Sequence, residues 1–398
     1  MKSRRRRNVS ENHHEEESPT SVNERVCSLP ISIDLIIEIL SRLPAKTIAK
    51  CRCVSKLWAT ILRLPDFTEL FLTKSSARPQ LLFACQKRSE LFFFSTPQPQ
   101  NPDQNSSPVA VSYHMKFPFN FSFERFSPIN GLLCLRHECI LKGRKKPVWG
   151  SVICNPSTGQ SLPLPRMKTR RSFGGKSFFG YDPIQKLFKV LSMTLPYGIY
   201  NGNCEEYQVL TLGTGKLSWR LIECCRPHFP VYNEVCINGV LYYLACVNGF
   251  LEVVVYFDFG SEKFRFMKVM ENFSGAVRPG NVNTTLINYN GKLGLLMSGG
   301  PGCDNRISGS IELWVLEDPE KHEWSKHIYV LPPLWRNVVG EAELDFVGMI
   351  GTNEIVLSQR CLYMNVHTFS TTISRETLSL KLKSKEWNCL SVVDFTPF

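Results

Sequence analysis

Two hydrophobic periods divide the chain. Through residues 28–74 apolar positions recur at helical spacing, Leu35 and Ile36 pairing with Ile39, Leu40 and Leu43 three or four residues on. Ser32 stands where a cap for free amides is needed, and Asp34 falls in the first turn, where the helix dipole favours a negative charge. Pro44 stops this helix, because a proline drives the residue before it out of the helical region. A second helical stretch runs through Thr47, Ile48 and Cys51 to Val54. Ser55 caps a third, which carries Leu57, Trp58, Ile61 and Leu62 and ends at Pro65. The apolar face on the first helix is wider than so short a helix can use internally. Fewer than fifty residues bury such a surface poorly, so the surplus is expected to face another domain or another protein.

From about residue 77 onward the period falls to two. Short runs rich in Val, Ile, Phe, Tyr and Leu alternate with Gly, Asn, Asp and Pro, the pattern of strands and tight turns; Leu81-Leu82-Phe83-Ala84, Leu91-Phe92-Phe93-Phe94 and Val253-Val254-Val255-Tyr256-Phe257 are examples. The pattern also repeats. Asn130-Gly131-Leu132-Leu133 has counterparts in Asn238-Gly239-Val240-Leu241 and Asn290-Gly291-Lys292-Leu293. Weaker copies start at Gly180-Tyr181-Asp182-Pro183 and Thr352-Asn353-Glu354-Ile355. Each leads to a second hairpin with a polar turn and usually an aromatic: residues 152–162, 207–219, 253–266, 311–324 and 378–387. The anchors at 238 and 290 lie 52 residues apart, and those at 130 and 238 lie 108 apart, about twice that. A period near 50 with paired hairpins predicts four-stranded propeller blades of kelch-like length, where a pair of β-sandwiches has no reason to keep one. Five copies and the hairpin over residues 81–94 make about six units.

Composition fits a globular protein, with 43% hydrophobic and 21% charged residues among 398. No apolar run approaches a membrane span. Residues 1–27 are polar and lack periodicity, which predicts a disordered tail. Arg4 to Arg7 are nearly balanced there by five glutamates, and no apolar stretch follows them, so the chain is expected in the cytoplasm or nucleus and not secreted. Residues 97–108 are of low complexity and predict a loop. Fifteen cysteines, an odd number without any Cys-x-x-Cys, read as reduced, buried thiols; no metal or other cofactor is expected.

The net charge of +12 is uneven, since residues 141–176 hold nine Lys or Arg and no Asp or Glu. Any electrostatic function belongs there. Lys142, Arg144, Lys145, Lys146, Arg166, Lys168, Arg170 and Arg171 suit an acidic partner. They would also suit phosphates, but no base-reading motif accompanies them and aromatics are not interleaved for stacking, so nucleic acid is the weaker reading. Apparent catalytic signals fail. Gly174-Gly175-Lys176-Ser177 ends like a phosphate loop, yet Arg170 stands where the first glycine is required and no apolar strand precedes it. Neither a Gly-x-Ser-x-Gly elbow nor a His-Glu-x-x-His helix occurs, and no enzyme is expected.

The order Leu29-Pro30-x3-Asp34-Leu35-Ile36-x-Glu38-Ile39-Leu40-x-Arg42-Leu43-Pro44-x-Lys46-x-Ile48, followed by Cys51-Arg52-Cys53-Val54-Ser55-Lys56-x-Trp58, resembles an F-box over about forty-five residues. It is most similar to the large plant F-box family, in which Arg-Cys-Val-Ser-Lys-x-Trp is typical. One departure is that Ile31-Ser32-Ile33 separates Leu-Pro from Asp-Leu, where a single residue is commoner. Cys154-Asn155-Pro156-Ser157-Thr158-Gly159 and Phe179-Gly180-Tyr181-Asp182-Pro183 resemble the F-box-associated domain that follows in those proteins. The resemblance implies a small helical F-box, residues 28–74, before an all-β, propeller-like domain over residues 76–398. It further implies a non-catalytic substrate receptor of an SCF-type cullin-RING ubiquitin ligase. Leu29, Pro30, Leu35, Ile36, Ile39, Leu40, Leu43, Pro44, Val54 and Trp58 would then pack on a Skp-type adaptor, and through it reach the cullin. The propeller would hold a protein target, with Arg166, Lys168, Arg170 and Arg171 as its candidate contacts. The alternative is a basic propeller scaffold that binds nucleic acid or an acidic partner with no part in ubiquitination.

Overall fold

The computed structural model describes residues 31–395 except 88–89, 98–111, 119–126, 140–147, 168, 170–174, 195–203, 205, 248–249, 269–283, 299–308, 332–334, 336–343, 350–353, 360–367, 374–377 and 385–387. The tail, nearly all of the low-complexity loop and seven of the nine lysines and arginines of the basic segment therefore lie outside the described residues, as do Leu29 and Pro30.

Four helices open the chain: α1 (Ile33–Leu40), α2 (Ala45–Cys51), α3 (Lys56–Ile61) and α4 (Pro65–Ser76). Ser32 caps α1, its Oγ accepting from the Leu35 amide, and Ser55 caps α3 by accepting from Trp58. The expected stop at Pro65 is also a start. Proline lacks the N–H that a first helical residue leaves unpaired and its φ is already helical, so Pro65 closes α3 and opens α4, a helix the periodicity had not suggested. Phe67 and Phe71 of α4 complete a small core with Ile36, Leu40, Ala45, Ile48, Cys51, Ile61 and Leu62.

Among the described residues twenty-three strands follow. In chain order they are β1 (Gln80–Lys87), β2 (Glu90–Pro97) and β3 (Ser112–Pro118); β4 (Leu133–Cys139), β5 (Val148–Asn155) and β6 (Gln160–Pro163); β7 (Gly175–Asp182), β8 (Leu187–Thr194), β9 (Tyr207–Thr211) and β10 (Trp219–Ile222). Next come β11 (Phe229–Ile237), β12 (Val240–Val247), β13 (Phe250–Asp258) and β14 (Lys263–Lys268), then β15 (Thr284–Tyr289), β16 (Lys292–Ser298), β17 (Ser310–Asp318) and β18 (Glu323–Val330). Last are β19 (Leu344–Met349), β20 (Ile355–Gln359), β21 (Thr368–Ile373), β22 (Leu378–Ser384) and β23 (Asn388–Phe395). They form five four-stranded antiparallel sheets, with β4-β5-β6 as a three-stranded sixth among the described residues. First strands of successive sheets touch, β7 to β11, β11 to β15, β15 to β19 and β19 to β23, as blades around an axis require. Apolar clusters fill the gaps between blades. The largest joins Phe178, Leu191 and Val209 of one sheet to Leu241, Tyr243, Val255 and Phe257 of the next.

The C-terminal segment departs from expectation. The expected hairpin over residues 378–387 does not form among the described residues: β22 pairs with β21, while β23 crosses to the first sheet and pairs antiparallel with β1, Phe83 opposite Val392. The last strand thus becomes the first strand of the first blade and removes the free edges an open sheet array would expose.

Two turn types recur. In the Asn-Gly turns Asn130, Asn238 and Asn290 have φ near +50° and the following glycines +76° to +83°, the backbone of a two-residue hairpin turn whose twist matches its strands. Asn155, Asp182, Asp258 and Asp318 each accept amides two or three residues ahead through the side-chain oxygen. Those turns close on a left-handed residue, Gly159, Lys186, Glu262 or His322. In a four-stranded meander the first–second and third–fourth connections emerge at one end of the blade. The second–third connection and the link to the next blade emerge at the other. All these tight turns therefore lie at one end of the propeller, the turn end, and the long connections at the opposite, loop end. Because β1 is the second strand of its sheet, α4 arrives at the turn end.

Candidate docking surfaces

The helical unit fills its own core and still leaves apolar side chains in water. Ile31, Ile33, Leu35, Ile39 and Val54 are 46%, 49%, 56%, 52% and 65% exposed. Leu35 and Ile39 are four apart on α1, hence neighbours on one face. Pro44 is exposed; Leu43 and Trp58 are half-buried against the core. Ile36 and Leu40 turn the other way and are 6% and 1% exposed, so the contact role implied for them gives way to a core role. The helical period explains the division, since a residue one position along from Leu35 or Ile39 lies about 100° around the axis. Ile31 and Ile33, the insertion before Asp34, join the exposed set. Ile31 precedes the Ser32 cap and Ile33 follows it as the first helical residue, both ahead of the Leu35–Leu43 pattern that the helical spacing selects.

Charge borders this surface. Glu38 accepts from Arg42 Nε at 3.0 Å and from Arg42 Nη2 at 2.6 Å, and meets the Lys74 ammonium of α4. Lys74 first and Arg42 second hold its carboxyl below the usual range. This ties α1 to α4 beside the apolar residues.

The second surface is the basic one. Four of its lysines and arginines, 142–146, leave from the end of β4 and return at β5, a second–third connection. Arg166 to Lys176 link β6 to β7. β4 and β6 end, and β5 and β7 begin, at the loop end of adjoining sheets. Arg166 is exposed; Lys168, Arg170 and Arg171 lie outside the described residues. Lys176 does not belong to the open field. Its side chain is 13% exposed, its Nζ lies 3.1 Å from Glu234 Oε2 and 3.2 Å from the Val231 carbonyl, and it stands over the Phe178 ring.

Buried titratable groups elsewhere serve packing. His228 is 0% exposed, donates from Nδ1 to the Arg226 carbonyl at 2.8 Å and accepts from the Tyr243 hydroxyl at 2.6 Å; burial lowers its pKa to about 4. Burial likewise pushes Cys154 up to about 12 and Cys236 to about 11, away from a nucleophilic thiolate. Among the described residues no group of three or more His, Cys, Asp or Glu is arranged to hold a metal.

The described residues thus form a helical unit with an exposed apolar face, joined to a ring of antiparallel blades. Known proteins place it more narrowly. Residues 29–70 match the F-box domain and residues 80–381 the F-box associated beta propeller domain. F-box protein DOR of Arabidopsis thaliana is 56% identical over 88% of this chain and 87% of its own length. Putative F-box protein At3g23960 of the same plant is 54% identical over 90% and 89%. Among solved structures the WD40 domain of SCAP from fission yeast covers 79% of this chain and 73% of its own at a TM-score of 0.32 and 8% identity, a likeness too loose to carry any argument. The chain belongs to the F-box proteins with an F-box-associated β-propeller domain. The general role of that family is the substrate receptor of SCF-type ubiquitin ligases, which works without catalysis of its own.

Proposed function

We propose that this protein binds a Skp-type adaptor through the exposed face of its helical unit and holds an acidic protein target at the loop end of its propeller, in the cytoplasm or nucleus. The observation that carries this reading is the exposed Leu35 and Ile39 pair on a unit whose core is already filled. Water is a poor environment for such residues, and burying each half-exposed side chain in an interface contributes about 1 kcal/mol. The ligase supplies the chemistry; this chain raises the effective concentration of a target lysine near activated ubiquitin. The basic connections at the loop end favour an acidic target and a salt-sensitive association rate.

Co-purification with the adaptor tests the first half. Leu35→Asp with Ile39→Asp places two charges on the face without touching the core, and is expected to abolish the complex while thermal unfolding is unchanged. A complex that survives this double change rules the docking face out. For the second half, Arg166→Glu with Lys168→Glu, Arg170→Glu and Arg171→Glu is expected to lose target proteins that accumulate under proteasome inhibition. Unchanged capture moves the target site to another loop.

A further inference from the structure

The helical unit touches the propeller at two places, on different sheets. The first is covalent. Phe67 and Phe71 anchor α4 in the helical core, and only Ala77, Arg78 and Pro79 separate its last residue from β1. That junction has no slack. The Arg78 amide donates to the Ser75 carbonyl at 2.9 Å, its guanidinium Nη1 to the Arg42 carbonyl at 2.9 Å, and Pro79 fixes its own φ and restricts that of Arg78. The second contact is between α4 and a distant blade: the Glu69 carboxylate meets the Lys186 ammonium on the β7–β8 turn. Asp66, three residues before Glu69 and on the same helix face, adds to the negative field at Lys186, and with Glu69 as the main cause raises the ammonium pKa.

The Lys186 position is a costly place for a side chain. It occupies the left-handed corner of its turn at φ +57°, where glycine fits more easily, as Gly159 does in the equivalent turn. Where another non-glycine residue stands at that corner, Glu262, its carboxylate pairs with Lys189 and Arg220. Lys186 makes the corresponding use of its own side chain toward α4.

We propose that Glu69, Asp66 and Lys186 are positioning residues that lock the helical unit onto the turn end of the propeller, fixing the adaptor-docking face relative to the loop end. One junction leaves a body free to pivot. A contact at a second place, on another sheet, restrains that freedom. In the ligase reading the consequence is a fixed gap across which target lysines must reach, but the contact itself needs neither adaptor nor target, so its failure leaves that reading standing.

The experiment measures the distance between probes on the full chain. Azide-bearing amino acids at Arg63, exposed before α4, and at Glu320, exposed on the β17–β18 turn, accept a dye pair without competition from the cysteines. The unmodified contact is expected to give one narrow distance distribution. Lys186→Glu removes an attraction and adds repulsion by Glu69 and Asp66, and is expected to lower the docked-to-undocked ratio roughly fivefold or more, with thermal unfolding of the propeller unchanged. Lys186→Met, which only removes the charge, is expected to broaden the distribution less. Glu69→Lys combined with Lys186→Glu restores opposite charges and is expected to narrow it again. A broad distribution in the parent chain, a narrow one in Lys186→Glu, or a folded swap variant that stays broad would each overturn the proposal.

Discussion

Lys189 on β8 offers a stringent test of the packing between blades. Its side chain is 3% exposed, yet its ammonium has three acceptors: Asp182 Oδ2 at 3.2 Å, Glu262 Oε1 at 3.2 Å and the Phe259 carbonyl at 2.6 Å. Asp182 is 0% exposed and also accepts the Ile184 and Gln185 amides, each at 3.0 Å. Burial opposes its ionisation, but those amides and the Lys189 ammonium outweigh burial and hold its carboxyl below the usual range. Lys189→Met keeps most of the side-chain volume and leaves Asp182 without a counter-charge, a change that costs about 3–5 kcal/mol. For a chain of this size that lowers the melting temperature by about 4–6 °C. The pH dependence carries the sign. In the parent protein the depressed carboxyl contributes stability above the ordinary carboxylate range, lost only as pH falls through its lowered value, so this group changes nothing between pH 7 and 5. Once Lys189 is gone only the two amides oppose burial, so the folded carboxyl moves up from its lowered value and the gap to the parent narrows as pH falls. Asp182→Asn in the same background, which keeps the turn acceptor and removes the charge, should recover part of the loss. Calorimetric melting at pH 7 and 5 reads all three. A loss under about 3 °C, or a gap that stays constant or widens on acidification, refutes the reasoning.

Other perturbations separate core from surface. Leu40→Ala should cost about 2–5 kcal/mol because Leu40 is 1% exposed, whereas Ile39→Ala, one position along and 52% exposed, should leave melting nearly unchanged and weaken adaptor capture. Gly180→Ala should destabilise by about 2–3 kcal/mol, since a Cβ there would sit 1.9 Å from Phe259 Cε2, and a parallel Phe259→Leu change should relieve much of it in a denaturant titration. Removing residues 388–398 strips β1 of one of its two partners and opens the ring; far-UV circular dichroism should then show a broad, non-cooperative transition, and a sharp one would argue against ring closure.

Much of this was legible in the residues because turn chemistry and hydrophobic period are local. The Asn-Gly pairs at 130, 238 and 290 announced hairpins whatever surrounded them, since few other dipeptides accept two successive positive φ values, and their spacing announced the blades. Ser32 and Ser55 marked helix starts for the same reason. The aspartate-initiated turns were visible only as polar turns, because nothing in Lys186, Glu262 or His322 advertises a left-handed backbone.

What depends on distant partners was decided only by the fold. No periodicity told Leu35 and Ile39 from Ile36 and Leu40, because a surplus apolar face looks alike on both sides until α4, with Phe67 and Phe71, covers one of them. A charge count placed Lys176 in the basic field; the approach of β11, 58 residues on, paired it with Glu234. The last strand's destination, beside β1 some 300 residues earlier, and the meeting of Glu69 with Lys186 likewise follow from ring closure. Sequence fixes what each residue prefers within a few neighbours, and only the closed chain determines which preferences meet.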